Sequence, residues 1–561
     1  MGRLFREFND EKWEQVRTHP YFKAMRENTI AKADEFCVTD PPRVRFSQIH
    51  LYATIGDRKI FERVHCDYEN RFRCLFLAYL ITKDDKYIEP LADIVWNLLD
   101  FETWTIPAHV GENLTTVRRR QQLDLCSTII GFRLAEMIYF IGDKLPELVA
   151  RRTRDEVRFR VIESYKQYKN GEFWWRTSTN NWSSVCVGAC LCAFLYLADE
   201  EEIKAELPSM LETAEYYLKG FEDDGCCLEG YGYWNYGFSF YCLFASMLRD
   251  YTDGEIDLFK NEKVHKIALF QQNILLNENE CISFSDGGNS FKPCNWLSHF
   301  LKGVYPDMQI PSIPPSTSPD MPLRYVLWQN PDFAESELKP KSYIFHNAQW
   351  FIHVNDEAGY SVGAKAGFNA EPHNHMDVGS FIISKNGKIT FNDPGTGKYS
   401  QQYFSPRRYE LMVTSSRGHS VPIINGTLQV KNTMADRARV LIEREDRYAF
   451  TMEQAYDVKT LTSLTRDISC LADGVTVTDK YEFTETPESI TERFISLLPI
   501  TLGEGEVLCG DSTLIYDKNI FDATLGYEDV ERNNCSVERV YYVDLAVKSP
   551  VKDQLCEFKF I

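Results

Sequence analysis

The stretch VCVGACLCAFLYLA, residues 185–198, is apolar on every side when it is placed on a helix. A helix on the surface of a globular protein keeps one polar face toward water, so a helix without such a face is enclosed by others. Inner helices of this kind are usual in barrels of paired helices. The stretch therefore predicts a helical architecture around it.

Helical spacing continues on both sides of this stretch. Upstream, apolar residues recur every three or four positions in three runs: Phe72, Leu75, Phe76 and Tyr79; Leu91, Ile94, Val95 and Leu98; and Ile130, Leu134, Met137, Ile138 and Ile141. Downstream, Gly220 after ETAEYYLK is typical of a helix end. The first 300 or so residues are thus predicted to be helix after helix.

A proline-rich segment ends this helical half. Residues 306–322 contain six prolines in seventeen positions, and such a segment cannot continue a helix or a central strand. We interpret it as the interdomain connection and predict domains at residues 1–322 and 323–561.

The period of the apolar residues changes to two beyond this connection. In GVTVTDKYEF, residues 474–483, four side chains share one face: Val475, Val477, Tyr481 and Phe483. The run VYYVDLAV, residues 540–547, is rich in β-branched and aromatic residues. The pairs Asn386-Gly387 and Asn425-Gly426 are hairpin signals. The second half is therefore predicted to be an antiparallel sheet domain.

Length and charge limit the classes of protein. A chain of 561 residues is too long for one ordinary hydrophobic core. The 62 basic residues against 82 acidic ones give a net charge of −20, which argues against a nucleic-acid partner because such binding needs a cationic face. An acidic ligand would need a locally basic cleft.

We expect a cytoplasmic protein with no membrane partner. The beginning of the chain, MGRLFREFNDEKWEQ, lacks the apolar core of a secretion signal, and no run of about 20 apolar residues could span a bilayer. The 16 cysteines are scattered without a spacing framework, which is typical of reduced, buried thiols.

The stretch EPHNHMDVGSF, residues 371–381, concentrates groups that handle protons and bind metals. His373 and His375 alternate, so on a strand both would project from one face. His375 is followed by Asp393 and His419 at spacings that a sheet can bring together. Two imidazoles and a carboxylate suit zinc or a similar divalent ion, although a scattered set of this kind is more often coincidence than a site.

The helical half carries two aromatic segments, EFWWRTSTNNWSSV at residues 172–185 and EGYGYWNYGFSFY at 229–241. Aromatic rings beside Asn, Arg and Glu suit a saccharide cleft, because sugar rings stack on aromatic faces and amides bind hydroxyls. Core packing is the competing explanation for Trp174, Trp175 and Trp234.

Four segments, NNWSSVCVGA, EGYGYWNYGF, PHNHMDVGSFIISKNGKITFNDPG and GHSVPIING, together resemble the heparinase II/III-like polysaccharide lyases. The resemblance is specific at about residues 172–241 and 371–426. It implies an (α/α) toroid, an incomplete helical barrel, followed by an antiparallel β-sandwich. It also implies β-elimination of uronate-containing acidic glycans, with a glycosaminoglycan-type substrate expected and alginate-like glycans as the alternative.

The resemblance further implies roles for individual residues. Asn181 would neutralise the uronate carboxylate, which favours the developing enolate. Tyr236 and His373 would share the acid and base steps, either with Tyr236 in both roles (syn) or with His373 as base and Tyr236 as acid (anti). His375, Asp393 and His419 would hold a largely structural divalent ion, zinc in the first place, with Mn²⁺ or Ca²⁺ as alternatives.

Several assignments stay open. Some relatives carry a histidine after the asparagine where this chain has Trp182, so the carboxylate-neutralising pair is either reduced to one residue or completed by another, such as His109. Asn180 could replace Asn181 or only cap a helix. Tyr231 and Tyr233 compete with Tyr236 for the role of acid or base.

Further residues are predicted to contact the acidic oligosaccharide or polysaccharide. Guanidinium forks suit carboxylates and sulfates, and the expected contacts are His109, Arg118, Gln122, Arg176, Trp182, Glu229, Tyr233 and Arg407. Oligomeric state and endo or exo action are not encoded in any motif.

Two other functions compete with a lyase. One is a glycoside hydrolase on a similar toroid, which would need two carboxylates across the bond, from Asp223, Asp224 or Glu229. The other is a glycan-binding protein that has lost catalysis.

Overall fold

A computed structural model describes residues 4–111, 113–288, 291–317, 320–336, 338–371 and 373–561. The chain divides into two compact units. The first unit contains Met1–Gly220, Trp234–His265 and Pro293–Ser336, and the second contains Phe221–Tyr233, Lys266–Lys292 and Glu337–Ile561.

The first unit is helical, as the 3.6-residue periodicity predicts. In the described residues the α-helices of the whole chain are α1 (Asp10–Thr18), α2 (Lys23–Phe36), α3 (Phe46–Ile55), α4 (Lys59–Thr82), α5 (Ile88–Asp100), α6 (Thr116–Arg120), α7 (Leu125–Ile141), α8 (Glu147–Val157), α9 (Glu163–Tyr168), α10 (Asn181–Leu197), α11 (Glu200–Leu218), α12 (Tyr231–Tyr233), α13 (Ser239–Tyr251), α14 (Glu262–Ala268), α15 (Phe270–Asn273), α16 (Asn295–Lys302) and α17 (Pro322–Leu327). One π-helical turn, Arg158–Ile162, lies between α8 and α9, and another, Trp234–Phe238, precedes α13.

Helix α10 is the inner helix that residues 185–198 predict. Nearly all of its side chains from Ser183 onward are buried. It begins where the Asn180 side chain accepts a hydrogen bond from the Trp182 N–H at 3.1 Å, so Asn180 is the N-cap. Gly188 allows α13 to approach closely, because a Cβ there would lie 2.7 Å from the Phe240 carbonyl oxygen. Helix α11 ends just before Gly220.

The second unit is built from antiparallel strands. They are β1 (Tyr343–Phe345), β2 (Trp350–Asn355), β3 (Tyr360–Lys365), β4 (Phe381–Lys385), β5 (Lys388–Phe391), β6 (Ile423–Ile424), β7 (Val440–Arg444), β8 (Arg447–Thr451), β9 (Leu461–Leu471), β10 (Gly474–Phe483), β11 (Ile490–Ser496), β12 (Ile500–Leu502), β13 (Glu506–Cys509), β14 (Ser512–Ile515), β15 (Phe521–Glu531), β16 (Val537–Val547) and β17 (Asp553–Phe560). They form three sheets with the orders β1-β2-β3-β4-β5, β12-β13-β14-β17-β10-β9-β8-β7 and β15-β16-β11-β6.

One apolar core joins these three sheets. It contains Phe381 from the first, Val477 from the second and Phe494 from the third. Strand β10 alternates as predicted, with Val475, Val477, Tyr481 and Phe483 buried. The packing of sheet on sheet across a shared core is the predicted β-sandwich.

Asn-Gly pairs make two of the tight turns. Asn386 and Gly387 have φ of 49° and 75° between β4 and β5, and Asn425 and Gly426 have φ of 51° and 69° after β6. Two successive positive φ values are the requirement of the type I′ turn that Asn-Gly satisfies at low cost. The hairpin prediction is confirmed at Asn386-Gly387, which joins the paired strands β4 and β5. Asn425-Gly426 makes the same turn, but it is closed by the single bridge between Ile424 and Thr427.

The predicted fold class, a helical region followed by antiparallel sheets, is confirmed. The domain boundary at residue 322 stays a prediction, and residues 318 and 319 of the proline-rich segment lie outside the described residues. Most cysteine side chains are buried. Among the described residues, no helix combines the length and apolar character needed to cross a bilayer.

Candidate functional site

The histidine-rich loop joins β3 to β4 in the second unit and is held by a buried lysine. Lys365 Nζ, at the end of β3, lies 2.8 Å from Glu371 Oε2 and 2.8 Å from Asp377 Oδ1, and all three side chains are shielded from solvent. The two carboxylates bracket His373, which has a φ of 52°. That conformation is unfavourable for a residue with a Cβ and persists only where the surroundings enforce it.

Asp286 is hydrogen-bonded to both histidines of this loop. Its Oδ2 lies 2.6 Å from His373 Nδ1, and its Oδ1 lies 3.0 Å from His375 Nε2. Tyr399 donates a hydrogen bond to Oδ2 at 3.1 Å, and Tyr403 donates to Oδ1. Burial raises the pKa of Asp286, but the hydrogen bonds from His373 and His375 more than offset this, so the pKa lies far below its ordinary value.

His373 also contacts an acid and a phenol. Its Nε2 lies 3.4 Å from Glu229 Oε2, and its Nδ1 lies 3.4 Å from Tyr233 Oη, with 4.4 Å between the two ring centroids. Burial lowers the pKa of His373, but Asp286 and Glu229 together leave it above its usual value. Burial raises the pKa of Glu229 to about 7 despite the attraction of His373.

Two tyrosine hydroxyls continue the network from His373. Tyr233 Oη lies 2.5 Å from Tyr399 Oη, which in turn donates to Asp286. Burial raises the pKa of Tyr233 well above its ordinary value, and the negative charge of Asp286 adds to the effect. Tyr233 therefore keeps its proton at neutral pH.

His375, Asp393 and His419 form a buried cluster that fits a metal ion. Their ligand atoms lie within 4.8 Å of one another, and His419 Nδ1 lies 2.8 Å from Asp393 Oδ2. His375 Nδ1 is buried and has no hydrogen-bond partner among the described residues. A buried imidazole nitrogen without a partner is costly unless something binds it, while Asp286 orients the ring through Nε2, as carboxylates do behind metal-bound histidines.

Three residues of this network, Asp286, Tyr399 and Tyr403, are not predicted as site residues from the sequence. Asp286 stands in FSDGG, and the tyrosines stand in KYSQQYF, where neither spacing nor composition marks a site. A polar residue before Gly-Gly was the one available signal, and such pairs are common in turns.

The predicted residues of the first unit lie around the beginning of α10. Asn181 is its first residue, is buried, and lies against Gly237, where an added Cβ would be 3.1 Å from the Asn181 Cβ. Tyr236 is partly buried, with its ring edge-on to Phe240 at 5.7 Å. Burial raises its pKa well above the ordinary value.

A cavity of about 630 Å³ opens beside these residues within the first unit. Its lining includes His109, Gln122, Trp174 and Trp182. The ring of Trp182 lies 4.6 Å from that of His109 and 4.9 Å from that of Trp174, and the buried Asp124 holds His109 Nδ1 at 2.8 Å. Three predicted substrate contacts thus share one aromatic cavity.

The three arginines that are predicted to contact the substrate each bind a neighbouring residue. Arg118 binds Glu172 at 2.6 Å and lies over the Tyr168 ring. Arg176 donates to the Lys169 carbonyl at 2.9 Å. Arg407 is exposed and pairs with Glu410 at 2.8 Å. Their contact with a substrate stays a prediction.

Solved structures share this architecture. Heparinase III aligns with 98% of this chain and 88% of its own, with a TM-score of 0.66 and 14% identity. For a second heparinase III gene product, the alignment covers 100% of this chain and 93% of the matched chain, with a TM-score of 0.61 and 11% identity. For heparan sulfate lyase HepC from Pedobacter heparinus, it covers 99% of this chain and 91% of the matched chain, with a TM-score of 0.51 and 12% identity.

No protein-family model and no curated protein sequence matches the chain. At such identities the structural matches establish the fold, and the heparinase-like architecture that the four sequence segments resemble is confirmed at that level.

Proposed function

We propose that this protein is a polysaccharide lyase that cleaves uronate-containing acidic glycans by β-elimination. The observation that carries the proposal is the network in which Asp286 orients His373 beside Tyr233 and Glu229. The same fold in proteins named heparinase III and heparan sulfate lyase supports it.

His373 is the base in this proposal. Asp286 accepts the Nδ1–H, which leaves Nε2 as the nitrogen with a lone pair. Nε2 takes the C5 proton of the uronate, the electron pair of the C5–H bond forms the C4–C5 double bond, and the C4–O4 bond breaks. Tyr236 and Tyr233 are both poor bases because burial raises their pKa values.

Tyr233 is the acid that protonates the leaving O4. It holds its proton at neutral pH, and Tyr399 contacts its oxygen at 2.5 Å and provides a route for reprotonation. Because Tyr233 and His373 touch, both would approach the sugar from one side, which favours syn elimination. The role of Asn181 in neutralising the carboxylate stays a prediction.

His375, Asp393 and His419 would hold the metal ion, with zinc as the best match to two imidazoles and one carboxylate. When bound, the ion supplies a fixed positive charge and rigid coordination. Asp286 contacts Nε2 of His375 with one oxygen and Nδ1 of His373 with the other, so a fixed His375 also fixes the base.

A glycoside hydrolase is the competing function, with Glu229 and Asp286 as its carboxylate pair. The pKa of Glu229, raised to about 7, would suit an acid. However, both oxygens of Asp286 already accept hydrogen bonds from histidines and tyrosines, so this carboxylate is not available to activate water or attack a sugar.

The test is the ultraviolet-absorbing unsaturated product from a panel of acidic oligosaccharides. We expect Tyr233→Phe to lower kcat by several orders of magnitude, and Tyr236→Phe, the matched control, to lower it far less. Loss of activity in Tyr236→Phe alone would restore the assignment made from the sequence. New reducing ends without the absorbance would establish hydrolysis, and binding without turnover would establish an inactive glycan-binding protein.

A further inference from the structure

A guanidinium group with two unpaired nitrogen atoms, Nε and Nη2 of Arg408, lies beside the network of the second unit. Arg408 stands over the rings of Tyr403 and Tyr409, with 4.9 Å and 5.6 Å between its central carbon and the ring centroids. Its side chain is 16% exposed. Among the described residues, its buried Nε and Nη2 have no hydrogen-bond partner.

Asp286 does not satisfy this guanidinium. The shortest separation, from Arg408 Nη2 to Asp286 Oδ1, is 3.9 Å, which is too long for a hydrogen bond. Oδ1 already accepts from Tyr403 and faces His375, and Oδ2 is used by His373 and Tyr399. The carboxylate therefore has no lone pair turned toward Arg408.

The adjacent arginine shows what an ordinary surface guanidinium does in this segment. Arg407 has a 71% exposed side chain and binds both oxygens of Glu410, with Nε at 3.1 Å from each. Arg408 has no such acid. Buried guanidinium N–H groups left unpaired cost free energy, so in native proteins they are expected to meet a ligand.

We infer that Arg408 is the anion-binding residue of this site and holds the acidic group of the sugar, a carboxylate or a sulfate, next to His373. The inference deepens the proposed function and rests on it for the identity of the ligand as an acidic glycan. A local cation is needed here because the chain as a whole carries a net charge of −20 and repels anions. The planar fork of arginine suits either oxyanion.

The experiment compares Arg408→Gln with Arg444→Gln as the control, because Arg444 is exposed, pairs with Asp446 at 2.8 Å and is not among the predicted substrate contacts. Dissociation constants are measured by calorimetry for three probes: an unsulfated uronate tetrasaccharide, its carboxyl-reduced counterpart, and a sulfated form of the reduced sugar. We expect the wild type and Arg444→Gln to bind an acidic probe more tightly than the neutral one. Arg408→Gln should lose this preference by about ten- to hundred-fold.

The choice of probe identifies the anion. Preference for the uronate over its reduced form assigns a carboxylate to Arg408, and preference for the sulfated reduced sugar assigns a sulfate. Arg408→Lys keeps the charge without the fork and should retain part of the preference. It also serves as the second variant if Arg408→Gln does not fold, which thermal unfolding would reveal.

Two results would overturn the inference: an acid preference that survives in Arg408→Gln, or a wild type with no preference for either acidic probe. Failure of the proposed function is distinguishable from this. If the wild type forms no unsaturated product but binds acidic probes through Arg408, the lyase proposal fails and the anion site stands. If the unsaturated product forms and Arg408→Gln leaves KM and the preference for acidic probes unchanged, the lyase proposal stands and the anion site fails.

Discussion

Replacing Glu229 by glutamine should make the protein more stable, and increasingly so as the pH rises. The carboxyl is buried beside His373, and burial raises its pKa from 4.5 to about 7. A raised pKa means that the folded state binds the proton more tightly than the unfolded chain does. Between pH 4.5 and about 7 the unfolded chain ionises first, so stability falls as the pH rises through this window.

The size of the effect follows from that pKa difference. A change from 4.5 to about 7 corresponds to a cost of about 3 kcal/mol once the carboxyl is ionised in both states. Glutamine has the same shape and does not titrate. When the pH is raised from about 5.5 to about 8.5, the unfolding free energy of Glu229→Gln should therefore increase by about 2 kcal/mol relative to that of the wild type. The change is smaller than the full cost because part of that cost is already present at the lower pH.

The assay is equilibrium unfolding in denaturant of the wild type and the variant at both pH values. All other groups titrate in both proteins, so the change in their stability difference reports the ionisation of Glu229 together with its effect on the pKa of His373. Glu357→Gln is the control, because Glu357 is exposed and should show no comparable gain. An equal stability difference at the two pH values would refute this reasoning. So would a variant whose stability relative to the wild type falls as the pH rises.

Three other changes have expected outcomes. Lys365→Met leaves Glu371 and Asp377 buried without a cation and should cost about 3–5 kcal/mol of unfolding free energy; unchanged denaturant midpoints would contradict this. His375→Ala should lower metal content measured by elemental analysis and lower the Tm, and full metal content would exclude the site. Trp182→Ala should weaken oligosaccharide binding several-fold through lost stacking; an unaltered Kd would assign Trp182 to packing.

Local structure was readable from contiguous residues. The alternation in β10 and the two Asn-Gly turns appear in the structure where the sequence predicts them, because burial period and dihedral preference are properties of neighbouring residues. The enclosed α10 was predicted for the same reason. The resemblance of four segments also anticipated the heparinase-like fold and the His375, Asp393 and His419 cluster.

Hydrogen-bond partners that are distant in the chain could not be predicted from the sequence. Asp286 lies 87 residues before His373 and 117 before Tyr403, and no local pattern encodes such a pairing. That Asn180 caps α10 also required coordinates, through its hydrogen bond to the Trp182 N–H. Which tyrosine stands next to His373 also required coordinates, since Tyr231, Tyr233 and Tyr236 lie within about one and a half turns of helix.

The sequence by itself thus determined the helices, the strands, the turns and the residue types of the site, because these follow from short-range sterics and from the period of burial. Tertiary structure alone decided that Asp286 orients the histidine and that Tyr233 touches it. It also decided that Arg407 is hydrogen-bonded to a carboxylate while Nε and Nη2 of Arg408 are not. Hydrogen bonds act over about 3 Å, and only the packing of remote segments sets distances on that scale.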